Sequence, residues 1–84
     1  MYLHIGKDII VKSEDVIAIL NYEKLKQNNI FKQFYENIKK DIEIINENKK
    51  TLVLIEKNGK IKGYISNISS TTIANRKTKL IYKK

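Results

Sequence analysis

The 84-residue sequence has no cysteine, no proline and no tryptophan, and only three glycines, one histidine and one arginine. Without cysteine there is no disulfide staple and no thiolate metal ligand. His4 alone cannot assemble a zinc centre, so neither a structural metal nor a cofactor is expected. Without proline, the breaks between elements fall to Gly, Asn and Ser. No apolar run approaches the length that spans a bilayer, and the opening MYLHIGKDII lacks the basic stretch and cleavage site of a secretory signal. The expected location is therefore the cytoplasm, with no membrane partner. A domain this small buries only about 60% of its unfolded surface, so assembly with further copies is a natural source of stability.

Acidic residues are nearly missing from the C-terminal part. Residues 1–48 hold seven Lys against eight Asp or Glu, whereas residues 49–84 hold nine Lys and Arg76 against Glu56 alone. The second segment therefore carries the whole formal charge of +8. Such a surface attracts polyanions, of which nucleic acid is the commonest inside a cell. Part of the charge is compositional, because Lys, Ile and Asn make up 41 of the 84 residues.

Hydrophobic periodicity gives the coarse organisation. Met1–Ile5, Ile9–Val11 and Val16–Leu20 read as short strands, the first two separated by the turn Gly6-Lys7-Asp8 and the last two by Ser13-Glu14-Asp15. Residues 28–46 change period. Ile30, Phe31, Phe34, Ile38, Ile42 and Ile45 recur at three and four, which predicts one long amphipathic helix capped by Asn28 or Asn29. Phe31 and Phe34 are expected in its buried stripe, with Tyr35 at the edge. Thr51–Lys57 and Lys60–Ser66 flank Asn58-Gly59, the strongest short-range signal for a hairpin with a type I′ turn. Lys60, Lys62 and Tyr64 fall on one face of the second strand, and Ile61, Gly63 and Ile65 on the other. Residues 69–76 read as a short helix with a hydroxyl N-cap. The basic tail 77–84 is expected either to add an edge strand at Leu80–Tyr82 or to stay unstructured. The fold class is α+β, with small antiparallel sheets, one long helix and a short C-terminal helix. A single helix covers one sheet face, which leaves the other for a neighbouring subunit.

Catalytic chemistry has little to work with. His4 has no acid partner nearby in sequence, and Asp8, Glu14 and Asp15 match no calcium-loop spacing and read as solvated turn residues. There is no phosphate loop and no nucleophile elbow, so the chain is not expected to be an enzyme. The basic residues sort into Lys49-Lys50 before the hairpin, Lys57, Lys60 and Lys62 at its tip, and Arg76, Lys77 and Lys79 after the short helix. Flexible lysines suit phosphate contacts, and only Arg76 has the planar fork suited to reading guanine. Tyr64 and Tyr82, both close to Lys, are the candidates for base stacking.

The opening MYLHIGKDIIVKSEDVIAIL resembles the start of the extracellular-matrix regulator family of bacterial proteins, the RemA and RemB type, and in particular its RemB branch. ISNISSTTIANR resembles that family's last strand and short helix. The resemblance runs from Met1 to about Arg76, so residues 1–76 are taken as the regulatory domain and 77–84 as a basic tail. It implies a small α+β subunit that assembles into a ring-shaped homo-oligomer, binds double-stranded DNA and regulates biofilm-matrix transcription. In the RemA branch a basic residue at the start of the third strand contributes to DNA binding, and the matching position here is Asp15 or its neighbour Glu14. An Arg pair before the hairpin matches Lys49 and Lys50. Lys49, Lys50, Arg76, Lys77 and Lys79 are thus the expected DNA-contacting residues. The acid at Asp15 supports a competing reading, an oligomeric scaffold for a protein partner without DNA binding.

Overall fold

A computed structural model describes the backbone of residues 1–82 and the side chains of residues 1–76. The elements are strand β1 (Tyr2–Gly6), β2 (Ile9–Lys12), β3 (Val16–Asn21), helix α1 (Tyr22–Leu25), α2 (Asn29–Ile38), β4 (Ile42–Ile44), β5 (Thr51–Lys57), β6 (Lys60–Ser66) and α3 (Ser70–Tyr82). Single 3-10 turns, Ser13–Asp15 and Lys39–Asp41, lead into β3 and β4.

The strands form two sheets. β1 and β2 make an antiparallel ribbon, and the other four strands follow the order β3-β5-β6-β4. The β5–β6 hairpin lies at the centre, turned by Asn58 and Gly59 at φ 54° and 78°, as a type I′ turn requires. β4 runs parallel to β6, so the larger sheet is mixed where antiparallel pairing is the simpler expectation. The long helix is also shorter than its periodicity suggests. Asn28 caps it, its side chain accepting from the Phe31 N–H at 3.0 Å, but α2 ends at Ile38. Ile42 and Ile44 then alternate with Glu43 as a strand, so the last apolar residues of the apparent helical stripe belong to a sheet edge. Ser69 caps α3, its Oγ accepting from the Thr72 N–H at 3.2 Å. α3 continues through Tyr82, so Leu80–Tyr82 extends a helix and adds no edge strand, while Lys83 and Lys84 lie outside the described residues.

Each face of the four-stranded sheet has its own cover. On one face Val53, Ile55 and Tyr64 pack with Leu3, Ile5 and Val11 of the ribbon and Ile73 of α3. On the other face Leu52, Leu54 and Ile65 pack with Phe31, Tyr35 and Ile38 of α2. The second face of the four-stranded sheet, expected to lack cover within the subunit, is covered by the ribbon and α3 folding back over it. α2 presents Phe31, Tyr35 and Ile38 inward and leaves Phe34 (37% exposed) and Ile30 (79%) toward solvent, which corrects the expected placement of Phe34 in the core. Gly63 is enforced by a close approach. A Cβ there would stand 3.0 Å from Ile42 Cγ1 and 3.2 Å from Leu52 Cδ1, where β4 pairs alongside β6.

Candidate nucleic-acid interface

The basic residues divide between the two ends of the larger sheet. Lys49 and Lys50 lead into β5 at the end where β3 and β6 terminate, since Thr51 lies opposite Asn21 on one side and Ser66 on the other. The backbone here is tightly held. The Lys50 N–H donates to the Ser66 carbonyl at 2.9 Å, and the Lys50 carbonyl accepts from the Tyr22 N–H at 3.0 Å. Thr51 is fully buried, and its hydroxyl donates to the Ile68 carbonyl at 2.7 Å. Lys50 therefore projects an exposed ammonium from a fixed main chain, with half-buried Lys49 beside it.

Arg76 occupies a different setting. Its Nη1 donates to the His4 carbonyl at 3.0 Å, joining α3 to β1. Close by, the Ser66 hydroxyl donates to the Ile5 carbonyl at 2.6 Å and accepts from the Ile68 N–H at 3.0 Å. Lys50, Ser66, Ile5, His4 and Arg76 thus succeed one another along a path of backbone and hydrogen bonds. Arg76 remains half-buried and partly committed to the fold, with its other N–H groups available. Lys77 and Lys79 follow on α3, and their side chains lie outside the described residues. His4 itself is exposed, its Nε2 paired with the Lys7 carbonyl at 2.5 Å.

At the opposite end of the sheet, Lys57 and Lys60 face each other across the strands beside the hairpin turn. Lys12, at the end of β2, joins them with Lys62 around a cleft of about 580 Å³ that also includes Asp15. Asp15, which with its neighbour Glu14 the resemblance matches to a basic position of the RemA branch, therefore sits at this end. Lys49 and Lys50 lie about 20 Å away, at ~3.3 Å per residue along β5. The two positions implied by the resemblance do not meet within one subunit. The part of Lys12 is not readable from the sequence, since 45 positions separate it from Lys57 and only the folded ribbon brings it near. Tyr64 is 9% exposed, with Lys62 Nζ 5.0 Å from its ring centre, so it belongs to the core and offers no face for base stacking. Tyr82 lies among the residues whose side chains are not described.

Among the described residues no helix is long and apolar enough to cross a membrane. No curated protein matches the chain in sequence. The family model for RemA-like proteins, described as extracellular matrix regulatory protein A-like, matches residues 2–76. That span takes in both sheets and the covering start of α3, the parts from which the fold and the Lys49-Lys50 junction are built. The chain therefore belongs to the RemA-like family of extracellular matrix regulators.

Proposed function

We propose that the chain is a non-enzymatic, cytoplasmic DNA-binding regulator of transcription, of the RemB-like branch, that binds duplex DNA as a ring-like homo-oligomer. The observation that carries this reading is the held backbone at Lys49-Lys50, where both polar groups of the Lys50 main chain are engaged and its exposed side chain has no ion pair among the described residues. A cation on a fixed main chain loses less freedom on meeting a phosphate than one on a mobile tail. One such pair binds weakly, and repetition around an assembly turns weak contacts into avidity. The larger sheet ends in β3 on one side and β4 on the other. Edge strands of this kind supply a head-to-tail contact, which closes into a ring when the rotation permits.

The test is a mobility shift with an AT-rich duplex, comparing wild type with Lys49→Glu/Lys50→Glu at equal mass by light scattering. Wild type should bind, losing affinity with a log–log salt slope of about −0.9 per phosphate contacted, and the double variant should not. Binding by both, or by neither at low salt, contradicts the assignment. A scaffold for a protein partner is the second reading. It is favoured by the acids Glu14 and Asp15 where the resemblance implies a base, and by the bond from Arg76 to the His4 carbonyl, which commits part of that guanidinium to the fold.

A further inference from the structure

The cleft at the hairpin tip has a composition that phosphate contacts to DNA do not explain. Its cationic wall is Lys12, Lys57, Lys60 and Lys62. Lys62 has a partner, Glu43 at 3.8 Å, whereas Lys12, Lys57 and Lys60 form no ion pair among the described residues. Lys57 and Lys60 are direct cross-strand neighbours, an arrangement of like charges that costs stability until an anion lies between them. The residues in question belong to one side of the sheet. Lys57, Lys60 and Lys62 alternate with Glu56 and Ile61, and so share the face that carries Ile55 and Tyr64, beside the ribbon that covers the rest.

The remaining walls are not cationic. Tyr2 lies opposite Lys12 in the ribbon and is 67% exposed, and Ile10 beside it is 59% exposed. These form an apolar, aromatic flank within the same cleft. Asp15 adds one carboxylate, an acceptor that would repel a bare polyphosphate but accept from a hydroxyl or amino group. Lysines, an exposed ring and one carboxylate lining the same cleft match a ligand with phosphates, a flat ring and hydroxyls. The cleft volume of about 580 Å³ lies within the range of small-molecule sites.

We propose that this cleft binds a nucleoside polyphosphate, with the phosphates between Lys12, Lys57 and Lys60, the base against Tyr2, and Asp15 accepting from the sugar hydroxyls. The site is separate from Lys49-Lys50 and stands independently of DNA binding. It also gives the acid at Asp15 a use, where a phosphate-contacting role has none for it.

The experiment is titration calorimetry of the full chain with magnesium-free ATP and, separately, with inorganic triphosphate. ATP should bind at one site per subunit, about tenfold more tightly than triphosphate, because only ATP carries the ring and the hydroxyls. Lys57→Gln/Lys60→Gln should weaken ATP about tenfold or more, and Tyr2→Ala should weaken ATP while leaving triphosphate unchanged. Asp15→Asn should tighten triphosphate and narrow its gap to ATP. Lys49→Glu/Lys50→Glu should leave ATP binding intact, with circular dichroism confirming the fold of each variant. Failure of ATP to saturate the protein at millimolar concentration overturns the proposal. So does equal affinity for ATP and triphosphate, which would leave a site for charge alone. Loss of ATP binding in the Lys49/Lys50 variant, or displacement of ATP by a duplex whose own binding needs Lys57 and Lys60, would assign the cleft to DNA and overturn it as well.

Discussion

Arg76 shows how a residue chosen by charge acquires a structural task. In sequence it is the sole arginine and the natural candidate for reading a base, and in the fold its guanidinium joins α3 to the His4 carbonyl. Arg76→Gln should therefore act first on stability, lowering it by about 1 kcal/mol, which thermal unfolding would register as a drop of several degrees in a domain of this size. DNA affinity, measured below the new melting temperature, should change less than in Lys49→Glu/Lys50→Glu. A collapse of binding with unchanged melting would return Arg76 to the interface. Charge and spacing were legible at this scale, so Lys49 and Lys50 emerge from the sequence as a pair. Hydrogen-bond partners were not legible, because the His4 carbonyl lies 72 positions from Arg76 and nothing local marks it.

At the scale of elements, the hairpin and the caps follow from local chemistry. Asn58-Gly59 adopts the positive φ angles its residues favour, and Asn28 and Ser69 satisfy the first free N–H groups of their helices. The end of α2 does not follow. Ile38, Ile42 and Ile45 continue a spacing of four and three that suits a helix, while Ile42-Glu43-Ile44 equally suits a strand. The choice is made by the distant β6, which pairs Ile42 with Gly63 and Ile44 with Ile65. The same rotation of α2 decides which phenylalanine matters. Phe31→Ala should cost about 2 kcal/mol, a partial version of the loss for a fully buried ring, and Phe34→Ala should stay within about 0.5 kcal/mol of wild type. Urea unfolding of both variants checks this, and a larger loss at Phe34 would contradict the observed orientation of the helix.

At the scale of the whole molecule, both faces of the four-stranded sheet have apolar cover and its outer strands are β3 and β4. The proposed assembly would fall to these outer strands and the exposed side chains on them, Ile17 at the β3 edge (52% exposed) and Ile44 at the β4 edge (49%). On the proposed head-to-tail contact, Ile17→Lys should reduce the mass seen by light scattering toward the 9.9 kDa of one chain, with its circular dichroism unchanged. A wild type that already scatters as a monomer would sink the ring. The α+β class and the basic half of the chain were legible at this scale. The division of that basic half between two ends of the sheet was not, since it depends on the direction in which β5 runs and on where the ribbon lands.

The covering ribbon has a consequence for how the chain comes to be folded. Residues 2–12 precede β5, β6 and α3 along the chain, yet the surfaces that receive them belong to those later elements, with Ser66 holding Ile5 across 61 positions and Arg76 holding His4 across 72. On a ribosome, Leu3, Ile5 and Val11 lack their full apolar shelter until β5, β6 and Ile73 of α3 have emerged. Long-range pairing of this kind slows folding and leaves oily strand edges open meanwhile. The ribbon is thus made before the elements that shelter it, and it is among the last parts of the fold to find its place.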